Sequence, residues 1–179
     1  MKEQIFFLQP FQKDVMSYPF NIKGNIARNF DSFYIRYEFL GDLSEILIPE
    51  KADIPARKNN LWQNTCLEFF IALRELPQYW EFNLSTSGDW NVYSFTDYRN
   101  GMKEELSFAS LPFKIKKQTE SFQLDFECDL GKIINKSQPA EFGVCTVIKY
   151  KNRELGYWAL MHCDDKPDFH LRDSFILKL

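Results

Sequence analysis

Between Leu61 and Met102 the chain spells out three consecutive strands joined by short turns, and this block constrains the fold more than any other part. Leu67, Phe69 and Ile71 alternate with Glu68 and Phe70, and Trp80, Phe82 and Leu84 alternate with Glu81 and Asn83. A period of two belongs to strands with one apolar face. If Leu67, Phe69 and Ile71 face a core, the partner strand must turn Trp80, Phe82 and Leu84 the same way, because a slip of one residue sends every ring to the wrong side. The register that satisfies this sets Leu67 opposite Leu84, Phe69 opposite Phe82 and Ile71 opposite Trp80. On the other face it sets Glu68 opposite Asn83, Phe70 opposite Glu81 and Cys66 opposite Ser85. A tight turn at Ser87-Gly88, with glycine supplying positive φ, then brings Trp90 beside Ser85 and Val92 beside Asn83. The expectation is a cluster of Glu68, Asn83, Ser85 and Trp90 on one sheet face.

Further strands are expected at 31–42, 43–49, 112–117, 121–128, 142–150, 156–161 and 173–178, with a polar loop over 49–61 and room for one short helix over 127–135, capped by Asp129. No helical segment is long enough to act as a crossover between parallel strands. The sequence therefore predicts an all-β fold: an antiparallel β-sandwich, jelly-roll or immunoglobulin-like, of about ten strands with at most one short helix. At 179 residues the chain has the size of one domain, taken as 1–179.

Aromatic residues make up 17% of the chain, 18 of them Phe, so its core is built largely of rings. The formal net charge of -3, from intermixed acids and bases, gives no field for a phosphate backbone, and no nucleic-acid partner is expected. The N-terminal apolar stretch, Ile5 to Leu8, is shorter than the roughly 7–15 residues of a secretory core. No signal peptide or membrane span is expected, and the expected location is the cytoplasm. Cys66, Cys128, Cys145 and Cys163 form no Cys-x-x-Cys pair and are expected as reduced, buried thiols. Unpaired edges of an open sandwich make a homodimer an option.

A tryptophan beside a carboxylate, an amide and a hydroxyl is the chemistry of sugar recognition: the ring covers the C–H face of a pyranose while planar polar groups pair with its hydroxyls. The bland alternative is a polar inter-sheet interface in which Glu68 and Asn83 are satisfied by neighbours. Lys166-Pro167-Asp168-Phe169-His170 is the second candidate, a rigid loop presenting Asp168 and His170 either to a ligand or to neighbouring backbone. Arg99 serves as a clamp on a ligand carboxylate or pairs with Glu81 or Glu104. Trp62 serves as a ligand platform or as a plug; Trp80 and Trp158 are expected in the core. His162, Cys163, Asp164, Asp165 and His170 lack the tight spacing of a structural zinc site, and no metal is expected.

The string Leu61-Trp62-Gln63, Thr65-Cys66, Glu68, then Glu81, Asn83, Ser85, Ser87-Gly88, Trp90, Tyr93, Phe95, Tyr98-Arg99 and Gly101-Met102, resembles the DOMON-like domain of uncharacterised bacterial proteins. So does the ending Tyr157-Trp158-Ala159-Leu160, His162, Lys166 to His170, Ser174-Phe175 and Leu177, and together the two blocks carry the resemblance over about residues 5–179. The resemblance implies a β-sandwich related to family nine carbohydrate-binding modules, a superfamily that binds ligands and as a rule does not transform them. Its sugar-binding members are usually attached to secreted glycosidases. Its haem-binding members use a Met and a His as axial ligands, for which Met102, Met161, His162 and His170 are available here.

The resulting expectation is non-catalytic binding of a saccharide or sugar-containing metabolite, with no cofactor, at Trp62, Glu68, Asn83, Trp90, Arg99, Asp168 and His170. The alternatives are a sugar-modifying hydrolase using Glu68, Glu81 or His170, and a haem-binding or protein-interaction domain.

Overall fold

The alternation that marks the central hairpins extends into a sheet of twelve strands, all of whose pairings are antiparallel. A computed structural model of the chain describes residues 2–11, 18–135 and 138–179. Its strands are β1 Lys2–Pro10, β2 Phe20–Asn29, β3 Ser32–Gly41, β4 Cys66–Leu73, β5 Tyr79–Ser85, β6 Trp90–Phe95, β7 Lys103–Glu104, β8 Phe113–Lys117, β9 Ser121–Asp129, β10 Ala140–Lys149, β11 Leu155–Ala159 and β12 Leu177–Lys178. Their spatial order is β7-β6-β5-β4-β10-β11-β1-β2-β3-β9-β8, with β12 laid beside β10. The expected short helix shrinks to one 3-10 turn, Leu130–Lys132, where the Asp129 side chain accepts from the Gly131 N–H at 2.9 Å.

The sheet changes direction at β1. Its residues from Lys2 to Leu8 pair with β2, whereas Gln9 and Pro10 pair with Ala159 and Trp158 of β11. One strand thus joins a half-sheet of β1, β2, β3, β9 and β8 to a half-sheet of β11, β10, β4, β5, β6 and β7. The two halves meet through their rings. Phe33 of β3 lies 5.0 Å from Phe69 of β4 and 5.4 Å from Phe142 of β10, and Phe126 of β9 lies 5.7 Å from Phe69. Stacked and tilted contacts at this spacing are favourable beyond the area they bury. Within this core the Tyr37 hydroxyl donates to the carbonyl of Glu68 at 2.7 Å, fixing β4 where its chemistry begins. Gly24 serves the same packing. A β-carbon there would stand 1.9 Å from the Arg36 carbonyl oxygen and 2.5 Å from the Phe6 ring, so only glycine lets β1 and β3 approach β2 so closely.

The register of β4 on β5 is the one the alternation demands: Leu67 faces Leu84, Phe69 faces Phe82, Ile71 faces Trp80, Glu68 faces Asn83 and Cys66 faces Ser85. Other expectations are corrected. Residues 43–49 do not form a strand beside β3, whose neighbours are β2 and β9; they keep one bridge, Ile46 to Tyr150. Against the expected ten, the strand at 43–49 is lost and three are gained, β1, β2 and β7. Cys163 is exposed, unlike buried Cys66 and Cys145, and all four thiols are free. The sheet's terminal edges are β7, only two residues long, and β8, which carries Lys114, Lys116 and Lys117. Short or lysine-bearing edges discourage further strand addition.

Candidate ligand-binding site

Both faces of β4 and β5 are buried throughout, which a simple half-exposed strand would not show. One face belongs to the inter-sheet core. The other lies under the segment after β11 and under the loop before β4, and there a second apolar cluster forms from Phe70, Tyr79, Tyr93, Phe95, Cys145, Ala159 and Phe175, with Trp62 and Phe169 packed against it. Gly143 makes room for this cover, since a β-carbon would meet the Phe175 ring at 2.8 Å. A cavity of about 360 Å³ remains, with Glu68 and Glu81 at its floor and Trp62, Phe95, Arg99, Tyr157, Phe169 and His170 among its walls. That volume falls within the range of small-molecule sites, roughly 300–1,000 Å³.

The floor is chemically unusual. Glu68 is 3% exposed and Glu81 5% exposed. Glu81 Oε1 accepts from the Asn83 amide at 2.8 Å, and its Oε2 faces His170 Nε2 at 3.9 Å. Glu68 Oε2 has the Cys145 thiol at 3.9 Å, and the Cys66 thiol also lies against this carboxyl. Burial, reinforced by the charge of Glu81, pushes the Glu68 carboxyl well above the ordinary range. Burial likewise pushes Glu81 up to about 7, against the lowering effect of the Asn83 hydrogen bond.

His170 is held by geometry and kept neutral by its surroundings. Phe70, Phe95 and Tyr79 meet its ring edge-on at 5.2, 5.2 and 5.8 Å. Burial, with Arg99 nearby, lowers its pKa to about 4. The Tyr79 hydroxyl accepts from the Arg99 N–H at 3.1 Å and lies 2.8 Å from His170 Nδ1. A hydroxyl that accepts from the backbone is free to donate to the ring, which assigns the ring proton to Nε2, on the side of Glu81.

Arg99 pairs with neither Glu81 nor Glu104 as its first partner. Its Nη2 and Nε donate to Asp168 at 2.9 and 3.3 Å. Asp168 also accepts from the Tyr98 hydroxyl at 2.5 Å and from the His170 N–H at 2.9 Å. Although burial works against it, these bonds hold the Asp168 carboxylate below its usual range. The Arg99 turn relies on a left-handed residue, φ +50°, ahead of Gly101 at φ +68°. Asp168 is therefore the post that carries Arg99 and His170 into the walls.

Of the seven residues expected at the site, Trp62, Glu68, Arg99 and His170 meet at the cavity, while Asn83 and Asp168 stand directly behind its walls. Trp90 is the exception and corrects the expected cluster. It pairs with Leu84 in place of Ser85, is 3% exposed in the inter-sheet core, and lies under the Arg57 guanidinium at 4.3 Å. The cause is the turn. Gly88 N–H donates to Ser85 and Ser85 N–H donates to Asp89, so Thr86-Ser87-Gly88 is a three-residue loop with Gly88 at φ +97°. One extra loop residue reverses the faces of β6, burying Trp90 and Val92 in the core and bringing Tyr93 and Phe95 to the outer face. Phe95, Tyr157 and Phe169 were the walls that sequence reasoning missed; the three-residue reading of Thr86-Ser87-Gly88 was the signal for Phe95.

Among the described residues no three His, Cys, Asp or Glu side chains converge as a metal site. His170 and Met102 both line the cavity; Nδ1 of His170 lies 2.8 Å from the Tyr79 hydroxyl and Nε2 3.9 Å from Glu81. His162 is elsewhere, its Nε2 against the Gln9 carbonyl at 2.9 Å.

No family model and no curated protein sequence matches the chain. Solved structures do. The chain is similar to a candidate carbohydrate-binding protein from Bacteroides uniformis, with a TM-score of 0.70, 12% identity, and coverage of 97% of this chain and 84% of the other. It is also similar to a family 9 carbohydrate-binding module from Caldicellulosiruptor kristjanssonii solved with glucose, with a TM-score of 0.56, 12% identity and coverage of 91% and 77%. A structure of a family 9 module from the same organism with cellotriose gives 0.52, 12%, 91% and 75%. At this identity the likeness is one of fold.

Proposed function

We propose that this chain binds a saccharide in the cavity floored by Glu68 and Glu81, without transforming it. The observation that carries the proposal is the combination in one 360 Å³ cavity of ring walls, Trp62, Tyr157 and Phe169, with a buried pair of carboxyls. Rings cover the apolar face of a pyranose and carboxyls take its hydroxyl hydrogens. The folded-over sheet is read as a single sandwich domain of the DOMON-like and family nine kind, and the solved relatives with glucose and cellotriose support the ligand class.

Calorimetric titration with glucose and short gluco-oligosaccharides tests this. A saccharide that binds is expected to lose about tenfold in affinity, some 1.4 kcal/mol, in Trp62→Ala. Undiminished affinity in that variant would remove the cavity from the proposal.

The carboxyl pair favours one second reading, glycoside hydrolysis. Glu68 and Glu81 sit diagonally on paired strands, Glu81 facing Phe70, where side chains lie about 7–8 Å apart. Acids of a glycosidase stand roughly 5–9.5 Å apart. Hydrolysis predicts reducing-sugar release that vanishes in Glu68→Gln; binding without any product retains the first reading.

A further inference from the structure

We infer that the saccharide taken by this cavity carries a positively charged amine; the inference rests on the binding reading above and names its substrate class. The floor is short of hydrogen-bond donors. Two carboxyl groups, both more than nine-tenths buried, offer four oxygens, and among those oxygens only Glu81 Oε1 receives an N–H at hydrogen-bond distance, from Asn83 at 2.8 Å. The Glu68 carboxyl has only the weak donors Cys145, at 3.9 Å from Oε2, and Cys66 beside it, and Glu81 Oε2 stands 3.9 Å from His170. Burial already keeps the proton on Glu68, so Glu81, whose Oε2 has no donor at hydrogen-bond distance, is the carboxylate that this floor leaves to be paired.

The basic groups nearby do not meet that demand. Arg99 spends its fork on Asp168, and His170 is held neutral by burial. A sugar hydroxyl brings one hydrogen and no charge. A sugar ammonium brings three hydrogens and the missing charge, and the faces of Trp62, Tyr157 and Phe169 around it suit a cation. A metal ion is a poorer match, since no three ligating side chains converge among the described residues.

The test compares cellotriose with the matching trisaccharide of glucosamine, which differs by amine in place of hydroxyl, in calorimetric titrations at neutral pH. The amine sugar is expected to bind about tenfold tighter or more, as a charge-assisted contact in place of a neutral one allows. That advantage is expected to disappear in Glu81→Gln, which keeps the shape and removes the charge. Should that variant fail to fold, the comparison of the two sugars in the unaltered protein decides the matter. Equal affinity for the two sugars, or tighter binding of cellotriose, overturns the inference and leaves the saccharide reading intact. Binding of neither trisaccharide, nor of any other sugar, overturns both.

Discussion

Glu68→Gln stabilises this protein near pH 8 and does little near pH 5. The reason lies in where the proton sits. In the folded state burial, reinforced by Glu81, lifts the Glu68 carboxyl well above its ordinary value of 4.5. A group with a raised folded pKa contributes its full stability below the unfolded value and loses it as pH climbs toward the folded one, because the unfolded chain gives up a proton that the native chain must keep. Each pH unit in that window costs up to about 1.4 kcal/mol. Glutamine has no proton to lose and nearly the same shape, so the variant is expected to gain stability near pH 8, read as a higher melting temperature, up to a ceiling of about 4 kcal/mol over the window from pH 5 to 8. His170 acts with the opposite sign. Its folded pKa is lowered to about 4, so its contribution is complete above 6.5 and is lost as pH falls. It is common to both proteins and cancels in their difference. Thermal unfolding of the pair in buffers near both pH values is the check; an equal shift at both, or a loss near pH 8, refutes the account of Glu68.

Phe69→Ala has an effect of similar size in the opposite direction. Phe69 is fully buried, stacks on Phe82 at 4.5 Å within its own half-sheet, and meets Phe33 and Phe126 across the core. Its neighbours come from β3, β5 and β9, and no single movement closes the hole it would leave. Urea unfolding is expected to show a loss of about 3–5 kcal/mol, the usual cost of a large buried ring whose cavity stays open. A loss below about 1.5 kcal/mol would show that the ring stack can collapse. Since Phe69 points away from Glu68 and Phe70, ligand affinity at a temperature where the variant is folded should change little.

What the sequence disclosed depends on how local the determining physics was. The β4–β5 register was legible because each strand has one face of purely apolar residues, and only one alignment buries both. The β6 faces were not, because Ser87-Gly88 suits a loop of two residues or of three, and the difference of one reverses Trp90. β1 escaped for another reason. Ile5 and Phe7 are 70% and 60% exposed, so its exposed face is as apolar as its buried one and the alternation vanishes. At the site, Glu68, Trp62, Arg99 and His170 were named from residue chemistry, but which acid Arg99 grips depends on the approach of residues 69 positions apart, which no local pattern encodes.

The joint at β1 also orders events in time. Gln9 and Pro10 must wait for Trp158 and Ala159, and the cavity waits for Asp168, Phe169 and His170, all made well after β4 and β5. The hairpin of β2 and β3 can form early, but the seam that closes the sheet joins Gln9 to Ala159, a long loop to close and hence a slow step. During synthesis, then, the apolar faces of β4 and β5 are made well before their cover, and the nascent protein passes through a stage when its richest ring cluster lies open to chaperones or to its own copies.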